Sequence, residues 1–146
     1  MTDKELFSQK ADEGYMVCFV EGCPLRESCL RWKVGRCVSA TQMRCNCVNP
    51  HFDQVGTKSC PMHRRGEKVK MAKGMTHIFT DDMPKGLEPI VRTLLIEHWR
   101  RTYYFEYRNG KRLLSPAMQE HVRRLFRQNG WQGEVCFDEY VEAYEW

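Results

Sequence analysis

Apolar residues recur at helical spacing most clearly over residues 87–101. Ile90, Leu94 and His98 lie four residues apart, and the neighbouring positions repeat the same spacing with apolar side chains. A repeat of this kind places the apolar side chains on one face of a helix. The pattern therefore predicts a long amphipathic helix in the second half of the chain.

Other helices are predicted mainly from their end signals. Residues 2–13 begin with a capping-box motif and are followed by glycine, while residues 24–34 have proline in the first turn and end at a glycine. Ser115 and Pro116 are a typical cap and first helical residue. Asp138 is expected to cap a last, short helix.

Residues 103–114 are compatible with two structures. Aromatic residues surround Asn109-Gly110, and this dipeptide is the strongest short signal for a β-hairpin. The competing interpretation extends the preceding helix to Arg108 and uses Gly110 as its end. We favour the hairpin.

Residues 36–75 show no sustained period and contain several Gly and Pro breakers. Together the patterns predict an α+β fold in a single compact domain of 146 residues. Residues 1–75 form its cysteine-rich, loop-rich half, and residues 76–146 form a basic, aromatic helix–hairpin–helix half. The absence of an apolar leader or a long apolar run predicts a soluble, cytosolic protein.

Cysteines are concentrated in the first part of the chain. Seven of the eight lie between Cys18 and Cys60. In a reducing compartment such a cluster indicates metal or redox chemistry more often than disulfides. Further candidate ligands are His51 and His63.

The spacing of the cysteines leaves the type of centre open. Zinc, as a structural ion, requires four Cys or His ligands and is our first expectation. Proline follows both Cys23 and Cys60, as it does at some ligands of iron–sulfur clusters, so such a cluster is the alternative. Cys29, which lies on an apolar helical face, could instead be an ordinary core residue.

Several segments resemble a family of short, uncharacterised bacterial proteins, a domain of unknown function. The resemblance implies that the metal ligands are four of the cysteines, while Cys37, Cys45 and Cys47 are extra thiols. It implies no activity. The implied ligands are Cys18, Cys23, Cys29 and Cys60. The segments that carry the resemblance are Cys18-x4-Cys23-Pro24-x4-Cys29, Asn49-Pro50, Cys60-Pro61, Lys73-Gly74-Met75, Tyr103-Tyr104, Tyr107-Arg108, Leu114-Ser115-Pro116, Phe137-Asp138-x-Tyr140 and Tyr144-x-Trp146.

Basic residues are concentrated in the middle of the chain. Residues 61–130 hold 15 Lys and Arg against 7 Asp and Glu. Cations that alternate with aromatic rings suit contacts with phosphates and stacked bases, so nucleic acid is the most probable partner. The alternative is a protein-interaction module whose charges only keep it in solution. The candidate contacts are Arg100, Arg101, Arg108, Lys111 and Arg112.

No enzyme class is indicated. The chain has no Cys-x2-Cys redox motif, nucleophile elbow, P-loop or dinucleotide-binding fingerprint. A cysteine activated by His51 or His63 is chemically conceivable, but a binding protein is the better expectation.

Overall fold

The computed structural model describes all residues from Met1 to Trp146. It contains five α-helices, one short 3₁₀ turn and three β-strands, which confirms the predicted α+β class. The helices are α1 (Asp3–Asp12), α2 (Leu30–Gly35), α3 (Leu87–Trp99), α4 (Arg101–Arg108) and α5 (Pro116–Gln128); the 3₁₀ turn is Arg26–Ser28; the strands are β1 (Val69–Lys73), β2 (Leu113–Leu114) and β3 (Glu139–Ala143).

The chain forms two compact units. Unit 1 comprises Met1–Glu67 and Tyr144–Trp146, and unit 2 comprises Lys68–Ala143. Each has its own cluster of buried apolar side chains. No helix of either unit has the length and apolar character needed to cross a bilayer.

Unit 1 begins with the predicted helix. The Thr2 hydroxyl accepts a hydrogen bond from the Glu5 backbone N–H, and the Glu5 carboxylate accepts one from the Thr2 N–H, as the capping-box motif requires. Tyr144 is buried and donates its hydroxyl to Asp3 at 2.8 Å. Burial and this hydrogen bond raise the pKa of Tyr144 to about 12, so the phenol remains a donor at any physiological pH. The small core of the unit consists of Phe7, Ala11, Val17, Leu30, Val34 and Tyr144.

The helix predicted over residues 24–34 is interrupted at Cys29. A 3₁₀ turn precedes Cys29, whose backbone is extended, and α2 starts only at the following residue. The interruption has a tertiary cause, since Cys29 forms an isolated antiparallel bridge with Arg65 and the Leu30 N–H donates to the Arg64 carbonyl at 2.7 Å. A distant segment thus supplies hydrogen bonds that a continuous helix would have made internally.

Unit 2 is built on a three-stranded antiparallel sheet in the order β2-β1-β3. Ala72 of β1 pairs with Leu114 of β2 and with Tyr140 of β3. Strand β1 lies inside the stretch predicted to be loop, because its five residues are too few to give a periodic signal. The core between the sheet and the helices includes Val91, Leu95, Tyr104, Leu114, Val122 and Phe126.

The predicted hairpin is wrong. Residues 101–108 form helix α4, and the competing helical interpretation is correct except that the chain turns sharply at Arg100. Arg100 has φ 72° and ψ 157°, a conformation otherwise almost confined to glycine. Tyr104, only 1% exposed, fills the core from this helix, and that burial decides between the two structures.

The predicted last helix is also wrong, because residues 139–143 form strand β3 along the edge of β1. Asp138 does act as an acceptor for backbone N–H groups, but those of the loop at Thr76 and His77 rather than those of a helix. The Thr76 hydroxyl donates to the same carboxylate at 2.7 Å. These hydrogen bonds lower the pKa of Asp138 although its partial burial acts in the opposite direction.

Candidate metal centre

Four cysteines line one cavity of unit 1, which we call the thiol cavity. They are the four that the family resemblance indicated: Cys18, Cys23, Cys29 and Cys60. All eight cysteines of the chain are free thiols. Cys29 is buried, and the other three members are partly exposed.

The four cysteines lie in four different local structures. The Cys18 N–H donates to the Arg31 carbonyl of α2 at 3.1 Å. Cys29 lies at the junction of the 3₁₀ turn and α2. Cys23 and Cys60 each begin a tight turn, in which the N–H three residues later donates back to the cysteine carbonyl at 3.3 Å. The cavity is therefore assembled from segments 42 residues apart in the sequence.

The two tight turns have the same construction. Cys23-Pro24-Leu25-Arg26 and Cys60-Pro61-Met62-His63 both place proline at the second position, where its fixed φ favours such a turn. The side chains at the third and fourth positions of both turns also line the thiol cavity. The repeated Cys-Pro dipeptide thus has a structural purpose, because it presents two thiols from similar turns.

The surroundings of Cys18 shift its ionisation. Burial raises the pKa of the Cys18 thiol, a backbone hydrogen bond from Val20 lowers it, and the neighbouring thiols of Cys29, Cys23 and Cys60 raise it. Like charges disfavour one another's ionised forms, so a bound cation would favour the thiolate of Cys18.

Arg31 provides a buried positive charge in the cavity wall. The residue is 8% exposed and lines the thiol cavity. Its guanidinium donates from Nε to the Met62 carbonyl at 2.8 Å and from Nη1 to the Met16 carbonyl at 3.0 Å. No carboxylate pairs with it, and its guanidinium also lies 5.4 Å from the ring centroid of Tyr15. Negative charge inside the cavity would compensate it.

His63 is the only histidine at the cavity. It is partly buried, and its Nε2 lies 3.3 Å from the Ser28 hydroxyl. His51 is exposed and does not line the cavity, and neither do Cys37, Cys45 and Cys47. Of the thiols and imidazoles considered from the sequence, the structure therefore gathers four thiols and one imidazole.

The donors are not closed around a point. No group of three or more His, Cys, Asp or Glu side chains is arranged to hold a metal ion. The four cysteines line a cavity with a volume of about 20 Å³.

The five basic residues predicted to contact nucleic acid lie in unit 2, on α4 and at its two ends. Glu106 pairs with two of them, Arg112 and Lys111. Arg101 lies 5.1 Å from the ring centroid of Phe105, and the Arg108 guanidinium donates to the side-chain oxygen of Asn109 at 3.2 Å. Because residues 101–108 are helical, the predicted hairpin that would have carried most of these cations does not form.

The sequence analysis did not single out Arg31. Its position two residues after a candidate ligand is the only signal that distinguishes it from the other arginines. The fold and the cavity together define a cysteine-rich α+β protein in which four cysteines line one cavity. The whole chain, residues 1–146, matches the model described as a family of unknown function (DUF6078), and the protein belongs to that family. This match confirms the resemblance seen in the sequence. The searches of curated proteins and of solved structures found no match.

Proposed function

We propose that this protein is a metalloprotein in which the thiolates of the thiol cavity hold a metal centre that stabilises unit 1. The observation that carries the proposal is the presence of four thiols and an unpaired, buried arginine around one cavity. A metal–thiolate centre carries net negative charge, which the guanidinium of Arg31 in the cavity wall would offset. The core of unit 1 is small, and metal binding can supply the folding free energy that a small core lacks.

The first test is the metal content of protein purified without oxygen, combined with thermal melting before and after chelation. We expect a stoichiometric metal and a lower melting temperature after its removal, since metal binding to small domains contributes on the order of 10 kcal/mol. Protein that contains no metal and melts identically with and without a chelator would refute the proposal.

Variants test whether the residues of the thiol cavity bind the metal. Cys29→Ser should lose the metal, whereas Cys45→Ser should retain it because Cys45 is exposed and lies outside the cavity. Arg31→Leu should reduce metal occupancy by removing the compensating charge, and Arg31→Lys should reduce it less. Equal occupancy in Arg31→Leu and the natural protein would show that the charge does not contribute.

A second proposal concerns nucleic acid, with the cations at α4 as its contacts. It is supported by Arg100, Arg101 and Arg108, which have no carboxylate partner. It is also supported by Tyr103, which is 44% exposed and whose ring centroid lies 4.6 Å from the Arg112 guanidinium. Such a surface could contact phosphates and stack on an unpaired base.

Fluorescence anisotropy with labelled single-stranded RNA and DNA tests this surface. We expect binding at low salt that weakens as salt rises, because phosphate contacts release counterions. Arg101→Ala and Arg108→Ala should weaken it, while Arg92→Ala, whose side chain is already paired with Glu88, should not. No binding at low salt would leave unit 2 as a protein-interaction module.

A further inference from the structure

We propose that a cleft in unit 2 binds the phosphate group of a small molecule. The cleft, which we call the arginine cleft, is lined by side chains of α5, of the segment 132–136 and of β3, and it has a volume of about 400 Å³. Its size lies within the range of small-molecule sites, roughly 300–1,000 Å³. The polar residues that line it are Arg123, Arg127, Gln132, Glu134 and Tyr140.

Arg123 is held in the cleft by uncharged groups. Its Nη2 donates to the Tyr140 hydroxyl at 3.4 Å, and its guanidinium carbon lies 5.5 Å from the ring centroid of Phe137. No carboxylate pairs with it, so these two contacts orient the guanidinium without neutralising its charge. Its remaining N–H groups are available to an anion in the cleft.

Arg127 lies four residues after Arg123 on α5, so the two side chains project from the same face of the helix. Its Nη2 pairs with Glu120 at 2.5 Å, and Glu120 does not line the cleft. A guanidinium has five N–H donors in a planar fork, which leaves further donors of Arg127 for a second anion. Two guanidiniums therefore line one cleft, and Glu134 is the single carboxylate that lines it with them.

The number of donors favours phosphate over carboxylate. Gln132 and Tyr140 line the cleft with the two arginines and carry an amide and a hydroxyl. Lys70 adds positive charge beside them, with its Nζ 4.5 Å from the ring centroid of Tyr140. A carboxylate has two acceptor oxygens, whereas a phosphate monoester has three strong acceptors and a larger negative charge. Arginine forks match phosphate oxygens with paired hydrogen bonds.

The loop on one side of the cleft is fixed by its own contacts. Trp131 donates from Nε1 to the Glu134 carbonyl at 3.2 Å. A Cβ atom at Gly133 would lie 2.6 Å from the Trp131 ring, so the glycine packs directly against the indole. Because these contacts are made without a ligand, less ordering of the loop is required when a ligand binds.

Cys136 provides a probe for the test, because its exposed thiol also lines the cleft. The experiment measures the rate at which iodoacetamide alkylates each cysteine of the full-length protein, by mass spectrometry of its peptides, with and without phenyl phosphate. We expect phenyl phosphate to slow the alkylation of Cys136. Cys45, which is exposed and outside the cleft, should react at an unchanged rate.

Variants of α5 test the two arginines. Arg123→Gln and Arg127→Gln should each raise the phenyl phosphate concentration needed for protection by roughly tenfold, because each removes charge-assisted hydrogen bonds. Arg124→Gln is the matched control, since it removes the same charge from the same helix at a residue that does not line the cleft. It should leave the protection of Cys136 unchanged.

Several results would overturn the inference. The first is an alkylation rate of Cys136 that phenyl phosphate does not change, which is measured on the natural protein and does not depend on the folding of a variant. Equal protection by benzoate, or equal weakening in Arg124→Gln, would show only a general attraction of anions. Protection by single-stranded RNA but not by phenyl phosphate would assign the cleft to nucleic acid instead of a small molecule.

Discussion

Gly35 shows how a single residue controls the geometry of the thiol cavity. A Cβ atom at this position would lie 2.6 Å from the carbonyl oxygen of Cys18, a backbone atom that cannot move without shifting the cysteine. Only glycine allows α2 to approach Cys18 this closely. The hydrogen bond from the Cys18 N–H to Arg31 depends on the same approach.

Gly35→Ala should therefore destabilise unit 1 by about 1–3 kcal/mol, the usual cost of overpacking, and lower its metal occupancy. Gly22→Ala is the matched control, because nothing lies within 4 Å of a Cβ atom there. Urea unfolding and metal analysis of both variants provide the measurement. A Gly35→Ala variant as stable as Gly22→Ala would contradict the close approach.

Helices α3 and α5 bring two histidines together. The rings of His98 and His121 have centroids 4.3 Å apart, and the Nε2 atom of His121 is buried without a hydrogen-bond partner. Burial lowers the pKa of His121, and the charges of His98 and Arg124 lower it further. The folded state therefore favours neutral His121.

This arrangement should make unit 2 less stable in acid. The folded pKa of His121 is below the unfolded value of about 6.5. The unfolded chain then binds more protons, so stability is full above that value and falls as the pH drops toward the lowered pKa. An NMR titration should show His121 titrating at lower pH in the folded protein than in the urea-unfolded chain. In His121→Leu the loss of stability with falling pH should be smaller, and an unchanged acid dependence would contradict this assignment.

Elements differed in how well their sequences predicted them. Helices α1 and α5 have local caps, which act within one turn of the helix and are therefore visible in the sequence. Helix α4 and strand β3 have no such signal. Burial of Tyr104 stabilises residues 101–108 as a helix, and pairing with β1 stabilises residues 139–143 as a strand.

At the scale of the whole molecule, the two separate cores predict a localised response to metal removal. Unit 2 has a large core of its own, whereas unit 1 combines a small core with the thiol cavity. Chelation should therefore increase amide hydrogen exchange in residues 15–67 while α3 and α5 remain protected. Hydrogen exchange followed by mass spectrometry, with and without chelator, measures this directly. A uniform increase over the whole chain would show that the two units unfold together.

The sequence by itself determined the α+β class, the capped helices α1 and α5, the family and the concentration of thiols in the first part of the chain. These properties depend on local spacing and composition, which a sequence displays directly. Only the tertiary structure decided that four particular thiols share a cavity, that Arg31 lies buried beside them and that residues 101–108 are helical. The physical reason is that segments distant in sequence settle these features: residues 60–65 bring Cys60 to the cavity and interrupt the helix at Cys29, and the core of unit 2 buries Tyr104.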